Sequence, residues 1–280
     1  MRQQVKQQPA RLAGSALKVG CCAYSYRDYL TGSPPRMTLE GFLERCAIIG
    51  CDGVELTSYY FPSPITPTYV RKLARRCFML GLEVAGTAVG NTFTLPSGPA
   101  RDAQLNLVRL WVDISVDLGS PCLRVFAGPV PTGASAATGR RWVAECLKEC
   151  AAYAADRGVM LALENHGGVV ARPEGVLDVL RRVRSEWVGV KLDTGNFDSA
   201  DPYADLAVCA PYAVSTHVKT EVRRNGALEP ANFAAIATIL REVGYRGYMS
   251  LEYEAAEDAA SAVPRAIAAM REVSGVVIEP

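Results

Sequence analysis

Four residues in the second half of the chain could together hold a metal ion: Glu164, Asp193, His217 and Glu252. Each closes a short apolar run, LALE, VKLD, STH and SLE. Three carboxylates and one imidazole suit a hard or borderline divalent cation such as Mn²⁺, Mg²⁺ or Co²⁺, with room left for substrate oxygens. Zinc normally takes more nitrogen or sulfur. A cation held this way polarises a substrate oxygen and stabilises negative charge that develops on it. A positioned base beside it contributes roughly 10²–10⁴-fold to a proton transfer. The competing reading is a structural ion-pair network with Lys191, Lys219 and Arg124. Recurrence of ligand types at four matching strand ends favours the metal.

Strand parity is what turns these residues to one side. Side chains alternate between two faces of a strand, and in a barrel the outer face meets helices. Val159, Leu161 and Leu163 share one face, which leaves Glu164 and His166 on the other. Val188, Val190 and Leu192 outward put Lys191 and Asp193 inward. Val214, Thr216 and Val218 do the same for His217 and Lys219, and Met249, Leu251 and Tyr253 for Ser250, Glu252 and Glu254. Earlier strands add Glu55, Arg124 and Phe126. Burying so many charges unpaired would cost roughly several kcal/mol apiece, so they must pair, bind a metal or face a wet cleft.

The elements that carry them alternate along the whole chain. Strands are expected at 18–24, 53–57, 82–88, 121–127, 159–165, 188–193, 213–219 and 247–253. Between them lie helical periods. Leu107, Leu110, Trp111, Ile114 and Leu118 form one, Val143, Leu147, Cys150, Ala151 and Ala154 a second, and Phe233, Ile236, Leu240 and Val243 a third. Pro67, Pro173 and Asn232 mark helix starts, and Gly81, Gly158 and Gly244 mark stops. Eight such units in 280 residues, about 35 each, fit a (β/α)₈ TIM barrel forming a single α/β domain. A doubly wound sheet would want a glycine fingerprint after its first strand, and CCAYSYRDYL has no glycine. The expected organisation is an N-terminal extension over 1–17 and a catalytic barrel over 18–280.

Composition narrows the function classes. Thirty basic against 29 acidic residues give a net charge of +1, without the basic excess of a nucleic-acid or membrane-surface binder. No apolar run approaches the length of a membrane span. The polar N-terminus does not read as a signal peptide. Nine cysteines without a CxxC pair, most of them in apolar segments, point to free thiols and a reducing, cytoplasmic compartment.

The stretches VELTSYYFP, LALENHGG, VKLDTGNF, STHVK and SLEYE, in this order and spacing, resemble the xylose isomerase-like sugar isomerase/epimerase family of TIM barrels. The resemblance runs from about Lys18 onward. It implies a small-molecule sugar substrate, a homo-oligomer and a single-metal site at Glu164, Asp193, His217 and Glu252, with Mn²⁺ the first expectation. In the family's ketose epimerases the two glutamates also shuttle protons through an enediolate, so Glu164 and Glu252 become candidate catalytic groups. Asn196 stands where many members carry histidine, which places it among candidate substrate contacts. His166 is an additional histidine beside Glu164, reminiscent of barrel relatives that eliminate or cleave 3-keto-glycosides. It acts either as acid/base or as a partner that fixes a ligand carboxylate. A lyase or dehydratase on a keto-sugar, keto-inositol or 3-keto-glycoside is therefore the second reading. A DNA-repair endonuclease of the same barrel type would need many histidine ligands, and the chain has two histidines in all.

Other inward residues have two readings each. Lys191, Lys219 and Arg124 either contact sugar oxygens or balance carboxylate charge. Glu55 reads as substrate-facing ahead of metal ligand, and Tyr24 as pocket wall or core. The segment KTEVRR (219–224) reads as a solvated loop, which gives no ground for a phosphorylated substrate.

Overall fold

The computed structural model describes residues 16–275. The extension expected over 1–17 thus lies almost wholly outside the described residues. Eight parallel strands form the sheet: β1 (Lys18–Cys22), β2 (Gly53–Thr57), β3 (Glu83–Ala88), β4 (Cys122–Val125), β5 (Met160–Glu164), β6 (Val188–Asp193), β7 (Ala213–His217) and β8 (Tyr248–Leu251). They are hydrogen-bonded in sequence order, and β8 pairs back with β1. Closure between β7 and β8 comes just past the strand ends, where Val218 N donates to Ser250 O and Glu252 N to Val218 O. The chain is a single (β/α)₈ TIM barrel.

The helices that follow are α1 (Leu39–Ile48), α2 (Pro67–Met79), α3 (Pro99–Leu118), α4 (Ala136–Ala155), α5 (Pro173–Val183), α6 (Pro202–Cys209), α7 (Phe233–Glu242) and α8 (Ala259–Ser274). Their starts carry the expected chemistry. Thr66 accepts from Tyr69 N at 3.2 Å and Asn232 from Ala235 N at 3.0 Å, and Pro67 and Pro173 take the first turn, where the N–H they lack is not needed. Gly81, Gly158 and Gly244 have φ of +68°, +70° and +67°, the left-handed conformation that ends a helix. One periodic residue is misplaced by the sequence pattern: Leu110 is 51% exposed, whereas Trp111, Ile114 and Leu118 are buried as expected, joined by Leu105, Val108 and Val112.

The core lies between strands and helices, where Val54, Leu123, Leu161, Val190 and Met249 are completely buried. All nine cysteines are buried free thiols. Inside the barrel, space is left for charge. A Cβ on Gly86 would lie 3.2 Å from a Glu55 carboxylate oxygen and 3.3 Å from Cys122 Sγ, tighter than such contacts normally run. Among the described residues no helix is long and apolar enough to cross a membrane.

One segment departs from expectation. Glu221–Arg224, part of the supposed loop, is a strand that pairs with Ala227–Pro230 and with Asp198–Ser199 beside the barrel mouth. The hairpin turn is Asn225–Gly226, with φ of +50° and +83° at the two positions. Two central residues at positive φ, Asn then Gly, define the turn whose twist matches paired strands.

Candidate active site

The four residues singled out as ligands meet at the C-terminal end of the barrel around one ring nitrogen. His217 Nδ1 lies 3.3 Å from Glu252 Oε2, 3.7 Å from Glu164 Oε2 and 3.8 Å from Asp193 Oδ2. Register brings them together: Asp193 pairs with His217 across β6 and β7, and Glu164 with Lys191 across β5 and β6. Every one of these side chains is buried.

Three of the converging atoms have charged neighbours but make no hydrogen bond. Glu164 Oε2, Asp193 Oδ2 and His217 Nδ1 are enclosed without a hydrogen-bond partner, and ligand atoms of these three residues lie within 4.8 Å of one another. Arg124 Nε is 3.2 Å from Glu164 Oε2 but is poorly aligned, so the pair is coulombic without a hydrogen bond. A buried unpaired acceptor costs about 1–3 kcal/mol, more if charged. Two carboxylate oxygens and an imidazole nitrogen converging in this way fit a divalent cation, with Glu252 beside them as a fourth donor.

The other face of the imidazole is held from beneath. His217 Nε2 meets Glu55 Oε1 at 2.6 Å, and the second Glu55 oxygen accepts from Lys191, which also donates to Ser215 Oγ at 2.9 Å. Burial pushes the Glu55 carboxyl up, but the His217 ring and the Lys191 ammonium outweigh it and hold it well below the usual range. Glu55, expected to face substrate, and Lys191, expected to contact sugar or balance charge, are placed here beneath the imidazole. Both are shut off from solvent, at 1% and 0% exposure, and are committed to each other. Their place is behind His217, where they fix which nitrogen faces the carboxylates.

Lys219 sits at the opposite, upper side. Its Nζ is 2.5 Å from Glu252 Oε2, 2.7 Å from Glu254 Oε2 and 3.4 Å from Asp193 Oδ2. Burial lowers its affinity for the proton, and these three carboxylates raise it further than burial lowers it. The Asp193 carboxyl is pushed up to about 6, chiefly by burial and despite Lys219. Gly195 permits the close approach: a Cβ there would come within 2.7 Å of Lys219 Cγ.

Near the rim, His166 Nδ1 is 2.9 Å from Glu164 Oε1, and Asn196 Nδ2 donates to the same oxygen at 3.2 Å. The hydrogen bond to Glu164 raises the His166 pKa. Burial alone would raise that of Glu164, but Arg124 and the two imidazoles bring it down to about 2. Arg124 stacks on Phe126 with its guanidinium carbon 3.8 Å from the ring centroid, and Phe126 packs on His166 at 4.7 Å. Tyr24 lies in a short 3₁₀ turn just past β1, half-buried against Arg27 and Tyr59.

Two residues escaped sequence reasoning. Asn165 is fully buried and clamps the Asp193 backbone, accepting from its N–H at 2.8 Å and donating to its carbonyl at 3.0 Å. Parity hides it, because it follows Leu163 on the outward face and the strand has already ended. Cys22 places its Sγ 3.4 Å from Glu55 Oε1 and 3.8 Å from Glu252 Oε1, and burial pushes the thiol well up. Its only signal is its position at the end of β1.

A closed eight-stranded barrel with this polar cluster at its C-terminal mouth is an architecture on which enzymes are commonly built. Residues 43–273 match the xylose isomerase-like TIM barrel family, and the chain belongs to it. Comparison with curated proteins finds no match. Among solved structures, the IOLI protein with a bound zinc atom superposes with a TM-score of 0.75 at 17% identity, over 92% of this chain and 96% of that one. D-Psicose 3-epimerase from Clostridium cellulolyticum H10 gives 0.70 at 16% identity, over 92% and 91%. The 3-keto-D-glucoside 4-epimerase YcjR from E. coli gives 0.70 at 16% identity, over 91% and 99%. At these identities the likeness is one of fold.

Proposed function

We propose that this protein is a divalent-metal-dependent sugar isomerase or epimerase that works by proton abstraction alpha to a carbonyl, through an enediolate. The observation that carries the reading is the set of orphaned atoms on Glu164, Asp193 and His217, with Glu252 alongside. These four would hold one ion, Mn²⁺ in the first instance. When bound, it would supply the positive charge that acidifies the C–H and stabilises the developing oxyanion.

The protein's own groups do the rest. Glu164 and Glu252 arise from β5 and from the end of β8, three strands apart around the mouth, so they reach a bound sugar from different sides. For epimerisation one takes a proton from carbon while the other returns one to the opposite face; for isomerisation a single one of them carries the proton to the neighbouring carbon as the hydroxyl proton passes to the former carbonyl oxygen. Arg124 and His166 hold Glu164, while Lys219 holds Glu252. The sugar-epimerase names of the structural neighbours agree with this chemistry.

A second reading has one observation in its favour. The His166 side chain is 58% exposed, and Glu164 takes up its Nδ1, which leaves Nε2 for a ligand at the mouth. A keto-sugar with a leaving group beta to its carbonyl would then undergo elimination with His166 as base.

Elemental analysis of the dialysed protein, with a Glu252→Ala variant in parallel, tests the centre. About one ion per chain, diminished in the variant, is expected; none after incubation with Mn²⁺ sinks the mechanism. Ketoses incubated in D₂O with the loaded protein then report C–H exchange. Loss of exchange in Glu252→Gln but not in His166→Asn selects the epimerase or isomerase reading.

A further inference from the structure

We propose that the groove between α4 and α5, on the outside of the barrel, is a binding site for a compact molecule that carries several phosphate groups. It shares no residue with the centre at the barrel mouth, and it stands whether or not that centre works as proposed.

α4 and α5 pack side by side, and a cavity of about 660 Å³ opens between them. Arg141 and Lys148 line it from α4, Arg181 and Arg182 from the last turn of α5, and Arg184 from just beyond that turn. Two carboxylates, Glu145 and Asp178, stand against these five cations. In a chain whose 30 basic residues meet 29 acidic ones, the excess is local to this groove.

Both carboxylates are already engaged. Glu145 takes Arg101 of α3 at 2.9 Å and Arg141 at 3.3 Å. Asp178 takes Arg140 at 2.8 Å and Arg182 at 3.1 Å. Arg101 and Arg140 are not part of the cavity wall, so each acid shares its charge with a guanidinium outside it. Among the described residues, Lys148 and Arg181 form no ion pair.

A solvated basic face is the competing reading, and Arg181 and Arg182 would suit the C-terminal end of any helix. Arg184 argues for more. Its φ is +55°, the left-handed conformation that Gly81, Gly158 and Gly244 supply at the ends of other helices. A residue with a Cβ is strained there. An arginine at this position forgoes the freedom of glycine and adds a fifth cation to the wall. Its Nε donates to Arg181 O at 3.2 Å, which folds the side chain back over the last turn of α5.

The lining also selects the chemistry of the ligand. Four guanidiniums offer planar forks that match phosphate oxygens, and the Lys148 ammonium adds a point charge. Cations spread along two helices suit several phosphates in one molecule better than a single one. Among the described residues no aromatic ring lines the cavity, and Ala144 is its one apolar side chain. Nothing there would hold a nucleobase, so the phosphates carry the recognition. A long polyanion such as RNA needs a basic track across the surface, which a net charge of +1 does not supply.

Calorimetric titration of the metal-free protein with tripolyphosphate, orthophosphate, ATP and a short single-stranded RNA tests this. One tripolyphosphate per chain is expected, bound about tenfold or more tightly than orthophosphate, with ATP close to tripolyphosphate. Affinity should fall as salt rises. Lys148→Gln combined with Arg181→Gln should weaken tripolyphosphate by about tenfold or more at unchanged Tm, since neither residue gives up an ion pair. Arg184→Gly should weaken it as well, and Asp178→Asn should tighten it by removing a carboxylate from the wall. No binding of tripolyphosphate, equal affinity for orthophosphate, or tighter binding of RNA overturns the proposal. Binding that survives the double substitution overturns it too, by placing the anion elsewhere on the chain.

Discussion

His217 and Glu55 form a 2.6 Å contact that faces away from the candidate metal centre and yet determines it. Glu55 takes Nε2, so the nitrogen left for the three carboxylates is Nδ1. Partners of this kind fix tautomer and orientation, and their loss typically costs 10–100-fold in metal affinity. Glu55→Gln should therefore weaken Mn²⁺ binding by roughly that factor, although Glu55 stands behind the imidazole rather than beside the ion. It should also destabilise the fold by roughly 3–5 kcal/mol, because the fully buried Lys191 loses its counter-charge. Calorimetry and urea denaturation read the two effects separately; unchanged metal affinity would remove Glu55 from the site.

Asn165 predicts a purely positional effect. Its amide makes both hydrogen bonds to the Asp193 backbone, and Asn165→Ala would leave a buried N–H and a buried C=O unpaired. A loss of at least about 1–3 kcal/mol is expected, seen as a fall of several degrees in Tm. Metal affinity should drop with it, since Asp193 is no longer held in register. A variant with wild-type Tm and wild-type metal binding would show that the clamp is dispensable.

These two residues also mark where the sequence stops being readable. Glu164, Asp193, His217 and Glu252 are legible because each ends a run whose Val and Leu residues declare the outer face. Alternation says that Glu55 points inward, but not that it meets His217, because a partner 162 positions away is set by barrel closure. Register irregularities at Val54/Glu55 and Val190/Lys191 lie beside the very residues concerned. Asn165 was hidden because β5 ends at Glu164, one residue before it. The hairpin carrying Leu228 had a usable signal, Asn225–Gly226 between short strand-like runs, which the basic character of KTEVRR obscured.

Outside the barrel, Asp178 predicts a pH dependence of stability. Arg140 Nε and Arg182 Nε both bond its Oδ2, at 2.8 and 3.1 Å, tying α4 to α5. Burial pushes its carboxyl up, but the two guanidiniums outweigh that and hold it below the ordinary value. A lowered folded-state pKa gives stability that is full above the unfolded value near 3.9 and is lost as pH falls through the folded one. Asp178→Asn should thus cost up to about 1 kcal/mol at neutral pH, the scale of part-exposed ion pairs, and the difference should shrink on acidification below about pH 4. Urea denaturation of both proteins across that range measures it. A difference that does not change with pH would assign the cost to packing.

Lys219 and a divalent ion want the same oxygens. The ammonium lies against Glu252 Oε2 and Asp193 Oδ2, the two atoms that also approach His217 Nδ1. Without an ion, Lys219 is the charge that keeps this carboxylate cluster together; with one, it must share Glu252 and lean on Glu254. Lys219→Met should therefore lower the Tm of the metal-free protein, because it strands buried carboxylates. It should also enlarge the rise in Tm that Mn²⁺ produces, since the ion no longer displaces a competitor. Binding that becomes tenfold tighter adds about 1.4 kcal/mol to the stabilisation at saturating ion. Differential scanning calorimetry with and without Mn²⁺ gives both quantities. An equal metal-induced shift in the two proteins would mean that Lys219 serves the sugar alone and has no part in holding the site before the ion arrives.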